Sequence, residues 1–421
     1  MHRAIKRFSV YLPSDLDERN PRTFFQDVVY RMPNIRTFGI SSLVPASCIE
    51  EELITLFHSL PKLRKVVFPR FYFTTGIAEA LSVCEDLEVV EFQYNEEQGR
   101  GDVNDVAVFA PTLSAGAYPV LWDHSMTVSF ANAVGFFDTA YSPANLTTLY
   151  IDSPEIDSPD DLKYLLSALA DNCQLLKNLT LISSRDPMAE TSDLEMMESY
   201  SITLDTIKPA FKLPVLTLME LLHQYPVSFS LGDLEILAKQ WPNIETLILS
   251  NEPVHLTSSP LTFDALLPFA RHCPRLTHLG LFIDATNENH SLNPYLPTYS
   301  PSQIPTLPSL QMLSMGVSIA KDDHKAALAL SQVLVAGCKV ECGITWDERF
   351  DVSNDLSETV QKRCAVWVDV AGMLPVLVKL RMEERERTKL LEKELEVLRG
   401  RTGAMRDLAT INRVNDPCVV L

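Results

Sequence analysis

A short leucine-rich phrase recurs along this chain of 421 residues. Each copy begins with an apolar residue that is often followed by a proline. One further residue comes next, and then Leu-x-x-Leu-x-Leu or a close variant. The first apolar residue of the leucine run falls at Ile35, Leu63, Leu87, Leu121, Leu146, Leu176, Leu216, Ile244, Leu276 and Leu310, with weaker matches at Leu121 and Leu216. A period of a few tens of residues predicts stacked repeats, in which each unit buries its apolar face against its neighbours.

The spacing of the phrase indicates which kind of repeat this is. Successive copies are 24 to 40 residues apart, whereas leucine-rich repeats have periods of roughly 20–29 residues, with a strand and a helix or turn in each. The array is therefore an irregular version of that pattern. The last two leucines of the phrase alternate with one other residue, which is the periodicity of a strand.

Helical patterns fill the gaps between the predicted strands. Apolar residues at helical spacing run from Ile49 to Leu60, Leu162 to Leu169, Leu234 to Trp241 and Leu266 to Cys273. We predict an α/β leucine-rich-repeat solenoid, a horseshoe with parallel strands on the concave side and helices on the convex side. A doubly wound βαβ domain is the alternative, but ten units would make a large open sheet and the phrase repeats too faithfully.

The repeat register divides the chain into four parts. Residues 1–31 form an N-terminal lead-in, 32–375 the solenoid, 376–400 a charged helix and 401–421 a flexible tail. Six acidic and six basic residues lie between Arg381 and Arg399, which favours a solvated helix projecting from the last repeat. Its heptad positions 377, 384, 391 and 398 read Leu, Glu, Leu and Leu, so the seam of a coiled coil is broken. Self-association through this helix remains an open hypothesis.

Charge and hydropathy restrict the classes of partner. The formal net charge is −19, which argues against nucleic acid, because affinity there comes from neutralising phosphates. It also argues against anionic membrane surfaces, and a basic or mixed-charge protein partner fits better, although a negative charge equally serves solubility. The sequence has no apolar stretch long enough to span a membrane and no secretory leader at its start. We therefore expect a cytoplasmic or nuclear protein.

The cysteines follow the repeat register. Cys84, Cys173 and Cys273 occupy the slot at which other copies carry Leu60, Trp241 or an equivalent apolar residue. A free cysteine behaves as a small hydrophobic residue, so we predict that these three fill the core. Cys338 and Cys342 lie four residues apart, but the sequence has no Cys-x-x-Cys pair and no second ligand cluster, which argues against a zinc site.

Motifs for catalysis are missing from the sequence. It contains no Gly-x-Ser-x-Gly, His-Glu-x-x-His, Gly-x-Gly-x-x-Gly or phosphate-loop pattern. We predict that the protein is not an enzyme and takes no cofactor or metal, although groups converging from distant repeats would escape such a search. Asp322-Asp323-His324 suggests a metal site, but it opens a predicted helix, where acidic residues are favoured by the dipole.

Three segments resemble fungal F-box/leucine-rich-repeat proteins. The run Leu231-Gly232-Asp233-Leu234 to Leu237-Ala238 precedes Trp241-Pro242-Asn243-Ile244 in the family's pattern, and Leu261 to Leu266 followed by Arg271-His272-Cys273-Pro274 is similar to its next repeat. Ala365-Val366-Trp367-Val368, with Leu374-Pro375 and Arg381 after it, is similar to its closing segment. The resemblance covers most of residues 20–385 and is most specific from 231 to 284.

The resemblance implies a function for the repeats. In that family, an N-terminal F-box docks on the Skp1 adaptor of a cullin ubiquitin ligase, and the repeats capture a substrate. Here only Leu12-Pro13-Ser14-Asp15-Leu16 resembles the opening of an F-box, and the repeats begin too soon after it for the complete module. We expect that this chain alone does not bind Skp1. An F-box encoded upstream of Met1 and a scaffold role unrelated to ubiquitin both remain open.

The register also predicts which residues contact a partner. The residue between the last two leucines should point to the concave face, and those before the middle leucine should flank it. Ten strands span on the order of 50 Å, enough for an interface of roughly 800 Å² per partner. The candidate contact residues are Arg64, Lys65, Val67, Glu91, Tyr150, Lys177, Ile248, His278 and Phe282. Among them, Val67, Tyr150, Ile248 and Phe282 are expected to be exposed apolar anchors.

Overall fold

Twelve strands form one parallel sheet in the computed structural model, which describes residues 4–13, 21–92, 99, 101–183, 199–256, 258–296, 304–345 and 354–414. The strands are β1 (Arg7–Leu12), β2 (Thr37–Ser42), β3 (Lys65–Phe68), β4 (Val89–Phe92), β5 (Asp123–Met126), β6 (Thr148–Ser153), β7 (Asn178–Ser183), β8 (Leu218–His223), β9 (Thr246–Leu249), β10 (His278–Leu281), β11 (Met312–Ser314) and β12 (Lys339–Glu341).

Helices or short 3₁₀ turns connect most of these strands. They are α1 (Pro21–Arg31), α2 (Glu50–His58), α3 (Thr75–Ser82), α4 (Phe130–Phe137), α5 (Pro159–Asn172), α6 (Leu204–Ile207), α7 (Leu231–Gln240), α8 (Leu267–His272), α9 (Asp323–Leu330) and α10 (Asn354–Val414). Several begin at the caps that the sequence provides. At α5, for example, Ser158 accepts a hydrogen bond from the Asp161 N–H, and Asp161 accepts one from the Ser158 N–H.

The order of the strands identifies the architecture. Each strand pairs in parallel only with its neighbours in sequence, from β1 to β12. A doubly wound domain requires a reversal of strand order, and this sheet has none among its twelve strands. The protein is therefore a leucine-rich-repeat solenoid, as predicted, and β2 to β11 follow the ten copies of the phrase.

Two strands were not predicted because they lack the leucine phrase. β1 lies within the lead-in and pairs with β2 from Arg7 opposite Thr37 to Leu12 opposite Ser42. β12 pairs with β11 through three residues. A terminal strand has one neighbour instead of two, so it needs fewer apolar side chains than an internal strand. Residues 1–31 thus contribute a strand and the helix α1 to the repeat array.

The core lies between the sheet and the helices. The leucines of the phrase point into it, and Leu63, Leu87, Leu146, Leu176, Leu276 and their equivalents are almost fully buried. Cys84, Cys173 and Cys273 are buried in the same slot, which confirms their predicted role as core residues.

Buried hydroxyl groups close the turns at the carboxyl ends of the strands. The Ser183 hydroxyl accepts the Asp157 N–H at 2.7 Å and donates to the Glu155 carbonyl at 3.1 Å. Ser318 likewise accepts the Ile283 N–H at 2.9 Å. Each bond joins one repeat to the next, so these side chains satisfy backbone groups that would otherwise be buried without a partner.

The terminal helix begins much earlier than the sequence indicated. α10 starts at Asn354 instead of 376 and continues to Val414, beyond the expected end at 400. Trp367, Val370, Leu374 and Val378 are buried in the main core, so the first part of α10 covers the open end of the solenoid. An exposed end of a repeat array needs such a cap. Of the expected flexible tail, residues 401–414 are helical, and 415–421 lie outside the described residues.

Candidate protein-binding surface

Two rows of side chains cross the concave face of the sheet, on the side away from the helices. The strand registers place one member of each row on every strand. The first row contains Arg7, Thr37, Lys65, Val89, Asp123, Thr148, Asn178, Leu218, Thr246, His278, Met312 and Lys339. The second row contains Ser9, Gly39, Val67, Glu91, Ser125, Tyr150, Thr180, Glu220, Ile248, Gly280, Ser314 and Glu341.

Most of the predicted contact residues lie in these rows. Lys65 and His278 belong to the first row, and Val67, Glu91, Tyr150 and Ile248 belong to the second. Arg64 and Lys177 precede their strands and are exposed at the rim of the sheet. Arg64 contacts Glu88 of the next repeat at 3.1 Å, so the rim pair spans two repeats.

Acidic side chains cluster on β4 and β5. Lys65 on β3 contacts Glu91 on β4 at 2.7 Å. Asp123 lies in the first row on the next strand, β5. Partial burial and the nearby charge of Glu91 raise the pKa of Asp123, while Lys65 acts in the opposite direction. The lysine therefore offsets only part of the negative charge at this place. A cation brought by a partner would stabilise the ionised form of Asp123.

An aromatic and aliphatic cluster lies next to the acidic group. The ring of Tyr150 meets Phe92 edge to face, with centroids 5.5 Å apart. Tyr150 also packs against an aliphatic cluster formed by Ile182, Leu222 and Ile248. Tyr150 is only half-buried, whereas the aliphatic residues are covered, so the tyrosine is the accessible part of this cluster.

Two of the expected anchors are buried, contrary to the prediction. Ile248 is 8% exposed, because it packs into the aliphatic cluster and lies against Gly280, where a Cβ atom would stand 3.0 Å from its Cγ2 atom. Phe282 is 2% exposed, because Val317 and Val360 pack around it. Val360 belongs to α10, so the chain's own terminal helix covers the face near Phe282.

Contacts of α10 close the far end of the face. The Arg363 guanidinium donates to the carbonyls of Val317 at 2.9 Å and Leu256 at 3.3 Å. His278, near this end, lies 2.7 Å from the Ser314 hydroxyl, and partial burial lowers the pKa of its imidazole. The surface open to a partner therefore runs mainly along the strands before β10.

The carboxyl ends of the strands are also closed in the middle of the sheet. Arg70 and Asp152 form a buried ion pair of 2.8 Å beside the aliphatic cluster. Breaking such a pair by removing one partner leaves an uncompensated buried charge. The pair therefore holds the carboxyl ends of these strands closed. The accessible part of the concave face lies at the amino-terminal halves of the strands.

Three functional candidates on this face escaped the sequence prediction. Asp123 and Glu220 lie on strands whose leucine phrase is weak, and Phe92 occupies the last leucine slot of its copy, a position that predicts a core residue. Glu220 accepts a hydrogen bond from the Thr180 hydroxyl at 3.2 Å. Alignment of the weak copies with their neighbours, Val89 with Asp123 and Thr180 with Glu220, would have found the acidic residues.

Three strongly perturbed titratable groups lie inside the solenoid. Burial raises the pKa of Asp157 to about 7 and lowers that of His223 to about 4 and that of His124 to about 3. His223 contacts the backbone carbonyl of Asp157 at 3.2 Å, not its carboxylate. Perturbed groups often mark active sites, but these three are closed off from solvent and take part in packing and turn closure.

Asp322, Asp323 and His324 have ligand atoms within 4.8 Å of one another. The structure gives each a local role at the start of α9. Asp322 accepts the Lys325 N–H at 2.9 Å as the helix cap, and His324 lies 2.8 Å from the Asp323 carboxylate. Acidic groups at a helix start are stabilised without a metal.

Among the described residues, no helix has the length and apolar character needed to cross a membrane.

Comparison with known proteins assigns no family to this chain. No protein-family model matches the chain, and no curated protein matches it. Among solved structures, it is similar to the leucine-rich repeat-containing protein LegL7 from Legionella pneumophila. The similarity covers 71% of this chain and 87% of the other, at 12% identity and a TM-score of 0.32. The fold assignment therefore rests on the sheet itself, with its parallel strands in sequential order.

Proposed function

We propose that the protein is a non-catalytic binding module that captures another protein on the concave face between β3 and β9. The observation that supports this most directly is the position of Tyr150, a half-buried aromatic side chain in the second row, with Phe92 and the aliphatic cluster behind it. Aromatic residues held in this way often dominate the energy of an interface, because they bury a large area with little loss of freedom.

The charges around Tyr150 favour a basic partner. Glu91 and Asp123 lie on the strands before it, and Glu220 lies on a strand after it in the same two rows. Lys65 contacts Glu91 at 2.7 Å, and Asp123 lies on the neighbouring strand with its pKa raised by partial burial and by the charge of Glu91. A segment that carries lysine or arginine beside an apolar side chain would match both features, and opposite charges also speed association.

Replacing Tyr150 with alanine should weaken the interaction by at least tenfold, since truncation of an anchor typically costs about 2 kcal/mol or more. The partner is first captured by a photo-crosslinking amino acid placed at position 150, then purified and titrated by calorimetry. Asp123→Lys should weaken the same interaction and reduce its dependence on salt.

Tyr164 provides the matched control. It is 64% exposed on the convex helix α5, so a crosslinker there should not capture the same protein, and Tyr164→Ala should leave the affinity unchanged. If Tyr150→Ala and Tyr164→Ala lowered the affinity equally, or if neither lowered it, the binding surface would have to lie elsewhere. Circular dichroism of each variant checks that the fold is intact.

A narrower hypothesis rests on the resemblance of residues 231–284 to F-box/leucine-rich-repeat proteins. Under it, the concave face captures a substrate for a cullin ubiquitin ligase in the cytoplasm or nucleus. The described residues before 32 are β1 and α1, which belong to the sheet and its helical layer. We therefore expect no binding of this 421-residue chain to purified Skp1, and co-elution of a stable complex in gel filtration would contradict that expectation.

A further inference from the structure

The distal segment of α10, residues 386–414, begins beside the repeats, where Thr388 and Lys389 line a cavity with Ile304, and then extends beyond the solenoid. Arg385 is the last residue of the helix with a described contact to the repeats, a hydrogen bond to the Gln332 carbonyl. Every side chain from 386 to 402 is exposed. At a rise of 1.5 Å per residue the segment is about 43 Å long. The helix ends at Val414, so the segment is about four heptads long.

One face of the distal segment is apolar. Leu390, Leu391, Val397 and Leu398 repeat at a spacing of seven and share this side of the helix. Each is more than half exposed, between 53% and 67%. Leu395 lies at the edge of the same face and is 52% exposed. Such a stripe on a projecting helix is stable in water when another surface covers it.

Two opposite charges lie in the middle of this face. Leu390 and Val397 form one row of the stripe, and Leu391 and Leu398 form the other. Glu394 and Arg401 are seven residues apart, and both lie between these two rows. In a parallel pair of helices, each would meet its own copy, glutamate against glutamate and arginine against arginine. In an antiparallel pair centred between Val397 and Leu398, each glutamate would lie opposite the arginine of the other copy. The charges thus select an antiparallel partner with the same sequence.

We propose that two copies of the chain associate through their distal segments, packed antiparallel around a twofold axis between Val397 and Leu398. This axis places residue 386 of one copy opposite residue 409 of the other, so residues 386–409 of the two helices lie side by side. Residues 383–396 carry six acids and four bases, and 399–413 carry four arginines and one aspartate. The two halves therefore complement each other in the antiparallel arrangement as well. Closed twofold dimers are the commonest protein assemblies.

Sedimentation equilibrium of the full chain tests the proposal. We expect a reversible dimer of the 47.3 kDa chain at concentrations up to on the order of 100 µM. Glu394→Arg and Arg401→Glu should each weaken the dimer by at least about tenfold, because each puts like charges together at the centre of the seam. The double variant, with both charges exchanged, restores the opposite pairing and should return the dissociation constant to within about threefold of the original.

Glu396→Arg and Arg399→Glu form the matched control. They make the same changes in charge on the outward side of the helix, so neither should alter the dissociation constant by more than about threefold. A chain that stays monomeric over the whole concentration range overturns the proposal. So does a double variant that remains as weak as the single ones, since only the antiparallel arrangement predicts the rescue. All four positions are exposed, so the variants should fold, and their thermal midpoints verify this.

Discussion

Replacing Trp367 with alanine is expected to lower the free energy of unfolding by about 3–5 kcal/mol, the usual cost of removing a large buried aromatic side chain. Trp367 is fully buried, although it lies on the long charged terminal helix. Its ring packs edge to face on Phe263, with centroids 6.5 Å apart. Its indole N–H donates to the Ser318 carbonyl at 2.9 Å, so the alanine variant also leaves that carbonyl without its donor.

Urea denaturation followed by circular dichroism measures this effect. Val368→Ala is the matched control, because Val368 is the next residue on the helix and is 61% exposed. It should change the free energy of unfolding by less than about 0.5 kcal/mol. A small effect of Trp367→Ala would mean that the terminal helix does not cap the repeats in solution.

A second large effect should appear when the pH is lowered. His124 is fully buried beside Phe73, with ring centroids 4.7 Å apart, and burial lowers its pKa from 6.5 to about 3. The folded state therefore disfavours the charged imidazole. Its contribution to stability is complete above pH 6.5 and is lost as the pH falls toward 3. Between pH 7 and pH 4 the expected loss is about 3 kcal/mol.

His124→Phe isolates this contribution. Phenylalanine suits the aromatic surroundings and has no proton to bind, so the unfolding free energy of the variant should fall less than that of the original protein between pH 7 and pH 4. The change in unfolding free energy between pH 7 and pH 4 should differ by about 3 kcal/mol between the two proteins. Equal changes in both would contradict the prediction. His58→Phe, at an exposed position at the end of α2, is the control for replacing an imidazole.

Other buried groups also make the unfolding free energy depend on pH. His223 has its pKa lowered to about 4 and acts in the same direction as His124. Asp157 acts in the opposite direction, because burial raises its pKa to about 7 and the folded state retains its proton. Its contribution grows as the pH falls from 7 toward 3.8. Comparison of the variant with the original protein removes both effects, since neither residue contacts the His124 ring.

The concave surface and the terminal helix have different roles. The open rows around Tyr150 provide the proposed contact with a partner, while the start of α10 covers Phe282 and ends the array. The distal segment then extends away from the repeats with its own apolar face. In a dimer joined through these segments, each assembly would present two concave faces, and a partner with two basic segments would bind with higher avidity.

The sequence by itself determined the repeat and, in the strands that carry a clear copy of the phrase, the side of the sheet on which most residues lie. The leucine phrase has a period of two within the strand, so Val67, Glu91 and Tyr150 had to lie on the face opposite to the buried leucines. The same register placed three cysteines in the core. These are local properties, because each depends only on the neighbouring residues and on the stacking of identical units.

The tertiary structure decided which of those residues are accessible. Ile248 has the same position in the phrase as Tyr150, and Phe282 follows the last leucine on the same side of the sheet, but contacts from α10 and from adjacent strands bury both. The hydroxyls that close the turns and the cap around Trp367 also depend on residues far apart in the chain. No period in the sequence encodes such contacts, since burial is set by what packs over a residue and not by its position in the phrase.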